Sequence, residues 1–147
     1  MSLVRPLLEY ATAAWDPYRK SHVEILEQVQ RRAARFVQAD YRRKSSVSAM
    51  LQLMDWPTLE TRRQANRLTV FYKAVNGLIA IPLDQLAHPS RVTRQSSLHQ
   101  TYIQLTSHCD AYKFSYFPRT VKSWNSLSEA VRNKPSVDSF RLAITTN

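Results

Sequence analysis

A mainly α-helical fold is what this sequence predicts, on three observations. Apolar residues in the first half recur at three- and four-residue spacing. The chain has a single glycine, Gly77, too few for a sheet turned by glycines. Its breaks fall at Asp16-Pro17, Trp56-Pro57 and Pro135-Ser136, which separate runs of helical length. With 147 residues, 44% of them hydrophobic, the chain has the size of one domain and can bury about 68–70% of its unfolded surface.

The first predicted helix carries Leu3, Leu7, Leu8, Ala11, Ala14 and Trp15 on one stripe and stops at Asp16-Pro17. The second opens at Ser21, which with Glu24 has the spacing of a capping box. At 100° per residue its Val23, Ile25, Leu26, Val29, Ala33, Phe36 and Val37 share one broad arc, opposite Arg31, Arg32 and Arg35. A polar, basic loop over residues 40–44 follows, and then a short helix over 46–54. Residues 58–76 form a fourth helix, whose stripe of Ala65, Leu68, Phe71, Tyr72 and Val75 is flanked by Arg62 and Lys73 on one side and Arg63 and Arg67 on the other. Gly77 is its expected left-handed terminator.

Residues 80–100, with Pro82 and Pro89, have little periodicity and predict a connector with one helical turn near Asp84 to Leu86. Alternation over 102–107 and 112–116, with Tyr112, Phe114 and Tyr116 on one face, predicts a small hairpin or two extended segments. Pro118 suits the first turn of a helix, where no amide donor is required, and Val121, Trp124, Leu127 and Val131 line one side of that helix. A final helix after Pro135-Ser136 buries Val137, Phe140 and Ile144.

Lys and Arg number 21 against 11 Asp and Glu, a formal charge of +10, which concentrates polyanions at the surface and makes nucleic acid the leading partner. No apolar run approaches the ~18 residues of a membrane span, and the residues before Arg5 do not form a signal peptide, so no membrane partner is expected. The expected location is intracellular, nuclear or cytoplasmic. Cys109 is the only cysteine, which excludes an intrachain disulfide and a multi-thiolate zinc knuckle. It is expected to be a small buried residue. His99, His108 and Cys109 lack a fourth ligand, so no metal site is expected.

No glycine-rich phosphate loop, Gly-x-Ser-x-Gly or His-Glu-x-x-His sequence is present, and the chain is not expected to be an enzyme. Binding chemistry remains. Arg31, Arg32 and Arg35, then Arg42, Arg43 and Lys44, then Arg62, Arg63 and Arg67 form three cationic clusters, and guanidinium groups match phosphate oxygens in pairs. The same charges also suit a helix C-terminus, and Glu27 to Arg31 is a favourable i,i+4 pair. Those effects amount to about 0.3–1 kcal/mol each, enough to explain tolerance of the charges but not their number. Trp15, Trp56 and Trp124 are offered first to core packing and only second to base stacking.

Ser115-Tyr116-Phe117-Pro118-Arg119-Thr120-Val121-Lys122-Ser123-Trp124-Asn125-Ser126-Leu127 resembles the closing segment of reverse transcriptases of non-LTR (LINE-type) retrotransposons, particularly the jockey-like clades. Ser2-Leu3-Val4-Arg5-Pro6-Leu7-Leu8-Glu9-Tyr10-Ala11, followed by Trp15-Asp16-Pro17, looks like the start of that family's thumb. Residues 26–37, Asp40-Tyr41-Arg42-Arg43 and residues 53–63 around Trp56-Pro57 follow it in collinear order. Ser128 departs from the pattern, which usually has proline there. The resemblance implies a helical thumb-like bundle over 1–79, then a connector and C-terminal region over 80–147 with a small irregular or extended segment and two C-terminal helices. Methionine at position 1 would then mark a truncated copy.

The family's polymerase holds divalent metal, expected to be Mg²⁺, with carboxylates that include a Tyr-x-Asp-Asp turn. This sequence has no such turn, and its aspartates at 16, 40, 55, 84, 110 and 138 are all isolated. The resemblance therefore implies a catalytically incomplete piece with no cofactor of its own, gripping RNA, RNA-DNA hybrid or DNA through phosphates and docking on the parent's fingers and palm. Arg119 would fix a helix start or meet RNA. The alternative is a non-enzymatic helical module, derived from a truncated element, that binds protein or self-associates.

Overall fold

Seven helices carry the described part of the chain: α1 (Lys20–Val37), α2 (Val47–Leu53), α3 (Leu59–Val75), α4 (Asp110–Lys113), α5 (Tyr116–Asn125), α6 (Glu129–Arg132) and α7 (Val137–Thr145). The structure, a computed structural model, describes residues 12, 14–84, 86–88, 101–104, 106 and 108–145. The fold is mainly α, as the sequence predicts, and no strand occurs among the described residues. None of their helices is long and apolar enough to cross a membrane. The first predicted helix lies outside the described residues except at Thr12, Ala14 and Trp15, and so does most of the connector.

Packing divides the chain into two compact units, Met1–Gln64 and Ala65–Asn147. The division falls inside α3, earlier than the change in sequence character at residue 79, because Leu68, Phe71 and Tyr72 are core residues of the second unit.

In the first unit α1 starts one residue before the predicted capping box. Arg19 is the N-cap, and its carbonyl accepts the amides of His22 at 3.0 Å and Val23 at 3.1 Å. Ser21 therefore sits within the first turn, and no side chain caps the helix through the N-cap position. α2 has the cap that α1 lacks, since Ser46 Oγ accepts the Ala49 amide. The turn into α3 is tied down from α1: Gln30 Nε2 donates to the Pro57 carbonyl at 2.9 Å, and Glu27 Oε1 accepts the Glu60 amide at 3.1 Å. Thr58 Oγ1 accepts the Thr61 amide, which satisfies another first-turn donor.

Helices α1, α2 and α3 close with the same paired bonds. Asp40 N to Arg35 O with Ala39 N to Phe36 O ends α1; Trp56 N to Leu51 O with Asp55 N to Gln52 O ends α2; Leu78 N to Lys73 O with Gly77 N to Ala74 O ends α3. Each closure needs a left-handed residue, and these are Ala39 at φ 48°, Asp55 at φ 49° and Gly77 at φ 66°. Only the last was legible from the sequence.

The second unit is built on aromatic rings. Phe71 meets Trp124 at 5.1 Å and Tyr102 at 5.4 Å edge-on, while Tyr72 stacks on Phe140 at 4.4 Å. Leu68, Leu86 and Val121 complete the buried cluster, with Leu127, Val131, Val137 and Ile144 packed against it. Trp124 and Asn125 divide their work: the indole fills the core, and the amide of Asn125 accepts from Tyr102 N at 3.2 Å and donates to Tyr102 O at 2.7 Å. A side chain thus pairs with both backbone groups of Tyr102, which lies outside any helix. Ser136 and Ser139 cap α7 reciprocally, each hydroxyl accepting the other's amide at 3.2 Å.

The predicted hairpin does not form among the described residues. Residues 110–113 form α4, Phe114 is its C-cap and Tyr116 opens α5, so Tyr112 and Tyr116 lie in two helices joined at Phe114 and Ser115. Asp110 in the first turn and the Pro118 ring in the next helix favour local helical bonds, and the Tyr102 segment finds its partner in Asn125. Pro118 does sit in the first turn of α5, as its missing donor allows. Cys109 precedes α4 and is exposed, not buried.

Candidate nucleic-acid interface

The C-terminal end of α1 and the loop after it are joined by one side chain. Arg35 Nη1 donates to the Arg42 carbonyl at 3.0 Å and Nη2 to the Ser45 carbonyl at 3.5 Å. Arg35 is therefore half-buried and structural in part, and its bonds hold the 42–45 backbone beside the helix. Arg31 and Arg32 on α1 and Arg42, Arg43 and Lys44 on the loop are all exposed. Two sequence-predicted clusters thus become one braced basic region of the first unit.

Asp40 organises the loop. Its Oδ1 accepts the Arg42 amide at 3.0 Å and Arg42 Nε at 3.1 Å, while Oδ2 accepts Arg42 Nη2 at 3.1 Å and the Ser45 hydroxyl at 2.7 Å. The Arg42 guanidinium, helped by the Ser45 hydroxyl and the Arg42 amide, holds the Asp40 carboxyl well below the usual carboxylate range. The carboxylate in turn raises Arg42 above its ordinary value. Arg42 consequently offers phosphate less free charge than Arg43 or Lys44.

The third cluster behaves differently. Arg62 is half-buried, whereas Arg63 and Arg67 are 2% and 5% exposed, on the same side of α3 as Leu59 and Phe71. Arg63 lies 4.3 Å over the Trp15 ring and 3.6 Å from Asp16 Oδ1. Its stem and charge are thus taken up by the Trp15-Asp16-Pro17 segment. Arg67 belongs to the second unit, where its carbonyl accepts the Tyr116 hydroxyl at 3.2 Å. Burial pushes the Tyr116 phenol well up, and the Arg67 charge works against that rise. The buried arc of α3 is wider than its apolar stripe because two arginines lie within it, guanidinium nitrogens included. Arg119 is half-buried on α5, also in the second unit.

The apolar arc predicted for α1 is only partly used. Ala34 and Gln30 are buried, yet Ile25 and Val37 are exposed and Phe36 is 74% exposed. Tyr41, between Asp40 and Arg42, is 67% exposed. Sequence reading overlooked Tyr41 in favour of the tryptophans; an aromatic residue inside a run of cations was the available signal. Trp124 does lie in the core, Trp56 is half-buried, and Trp15 is 45% exposed beneath Arg63. No feature local to Trp15 or Arg63 could have paired them.

No group of three or more His, Cys, Asp or Glu side chains among the described residues is arranged to hold a metal ion. No protein-family model matches the chain, and neither a curated protein nor a solved structure matches it.

Proposed function

We propose that this chain is the nucleic-acid-gripping C-terminal part of a jockey-like non-LTR retrotransposon RNA-directed DNA polymerase, catalytically incomplete as it stands. The observation that carries the reading is the braced basic region, with Arg31, Arg32, Arg43 and Lys44 exposed and the loop backbone held by Arg35. Cations fixed beside one another meet successive phosphates with little further ordering, and such contacts position a nucleic acid without reading its sequence. Arg63 is assigned to folding of the first unit, Arg67 to folding of the second, and Arg119 to the start of α5 or to RNA. RNA, RNA-DNA hybrid and DNA are all candidate ligands, and the parent's fingers and palm would supply polymerase chemistry and its Mg²⁺. The reading is tested by binding of RNA-DNA hybrid across a salt series, where each phosphate contact contributes about 0.9 to the log-log slope.

A second reading is favoured by the exposed Ile25, Phe36, Val37 and Leu53 in the first unit. These suit a helical protein-interaction or dimerisation module from a truncated element. Sedimentation of the chain separates the two, since a self-associating module gains mass with concentration and has no salt-sensitive binding to hybrid. An in-frame Tyr-x-Asp-Asp turn upstream in the genomic sequence would favour the polymerase reading.

A further inference from the structure

The basic region carries a feature that phosphate contact leaves unused. Tyr41 is the middle residue of the turn in which Asp40 Oδ1 accepts the Arg42 amide, and the Asp40 bonds to Arg42 and Ser45 fix that turn on both sides. The ring stays 67% exposed there, as Phe36 does at 74% in the same basic stretch, whereas Phe71, Tyr72, Tyr102 and Trp124 are buried in the second unit. It borders an open cleft of about 660 Å³, lined also by Gln38, Arg42, Met50 and Leu53. That volume is within the about 300–1,000 Å³ range of ligand clefts. Residues 31–44 hold six cations (Arg31, Arg32, Arg35, Arg42, Arg43, Lys44) and one carboxylate, Asp40, and the carboxylate is already bonded to Arg42 and Ser45.

We propose that Tyr41 is a stacking platform for an unpaired base of a single-stranded nucleic acid whose phosphates are held by Arg43 and Lys44. The inference rests on the nucleic-acid reading above and narrows its ligand to a strand with free bases. The charge excess selects a polyanion, and the exposed ring on a braced turn selects one with accessible π faces. A duplex presents phosphates but keeps its bases stacked on one another, whereas a single strand offers both groups at once. Stacking of this kind tolerates any base, because every base has a π face. Leu53 and Met50 supply an apolar edge to the cleft, and Gln38 a polar group at its border.

The test uses the full chain with fluorescent oligouridine and an RNA-DNA hybrid of equal phosphate count, each from ~50 to ~200 mM salt. Tyr41→Leu removes the ring while keeping an apolar side chain, and Tyr41→Phe keeps the ring; the position is exposed, so folding is checked simply by circular dichroism. The expected result is a loss on the order of ten-fold for Tyr41→Leu on oligouridine, with hybrid binding unchanged and Tyr41→Phe close to the parent. Equal weakening on both ligands, or none on oligouridine, overturns the platform. A Tyr41→Leu effect confined to self-association in sedimentation also overturns it and assigns the ring to protein contact. Salt-sensitive hybrid binding with no Tyr41→Leu effect on oligouridine removes the platform alone; loss of hybrid binding in the parent chain removes the grip instead.

Discussion

The two compact units use the same helical vocabulary for opposite purposes. Ala65–Asn147 gathers Phe71, Tyr72, Tyr102, Trp124 and Phe140 into a ring-on-ring cluster, closed by Asn125 on the Tyr102 backbone. Met1–Gln64 buries smaller groups, among them Ala34, Met50 and Leu59, and relies on polar ties from Glu27, Gln30, Arg35 and Asp40. Its large apolar side chains Ile25, Phe36, Tyr41 and Leu53 stay exposed beside its cations. Dense aromatic packing holds the second unit; the polar-braced surface of the first, with exposed rings and guanidiniums, is the part that the proposed nucleic-acid contact would use.

The sharpest way to break that contrast is Trp124→Ala. Trp124 is 1% exposed and touches both Phe71 and Phe140, so thermal or denaturant unfolding should reveal a loss of about 3–5 kcal/mol. A loss under about 1 kcal/mol would mean that the second unit is not held by its aromatic core. Asn125→Ala comes next, at about 1–3 kcal/mol, because both bonds to the Tyr102 backbone go unanswered in a half-buried setting. Asn125→Asp keeps the acceptor for Tyr102 N but not the donor, and should retain only part of the stability.

A gain is expected in the first unit. Ala39 closes α1 at φ 48°, a conformation that costs a side-chain-bearing residue about 1–2 kcal/mol and glycine little. Ala39→Gly should therefore raise the denaturation midpoint, by about 1 kcal/mol in stability, and a decrease would show that the closure is not as described.

Alkaline pH separates the units without mutation. Burial raises both Tyr102 and Tyr116 above the ordinary phenol value, so above about pH 10 the unfolded chain releases protons that the folded chain keeps. The second unit's stability is then full below pH ~10 and declines as pH rises toward the folded values. Tyr116→Phe should flatten that decline. Asp40 works with the opposite sign: its depressed carboxyl contributes fully above the ordinary aspartate value of about 4 and is lost as pH falls through the folded value. The loop carrying Tyr41 should loosen in acid while the aromatic core does not.

Helix existence was largely legible in the sequence, and helix use was not. The runs at 47–53, 59–75 and 137–145, the Gly77 terminator and the burial of Trp124 and Phe140 all follow from spacing, caps and breakers. Ala39 and Asp55 as left-handed closures were invisible, because nothing in an alanine or aspartate demands that geometry. The hairpin over 112–116 failed because a period of two over five residues is too short to outweigh helical bonding around Asp110 and Pro118. Within the candidate site the exposure of Arg31, Arg32, Arg43 and Lys44 was readable from the helical arc and the polar loop. The burial of Arg63 depends on Trp15 and Asp16, distant in sequence, and the display of Tyr41 depends on side-chain bonds of Asp40.

The smallest stability effect belongs to the most telling variant. Arg31, Arg32 and Arg43 are exposed, so replacing all three with alanine should change unfolding by no more than about 0.5 kcal/mol per site. The measurement to make is binding of the chain and of this triple variant to an RNA-DNA hybrid from ~50 to ~200 mM salt. With about five cations on phosphates the parent slope should be near −4.5 on a log-log plot, and the triple variant should fall to about −1.8. A folded chain with no salt-sensitive binding, or a slope that the triple variant leaves unchanged, would contradict the assignment of this basic region to nucleic acid.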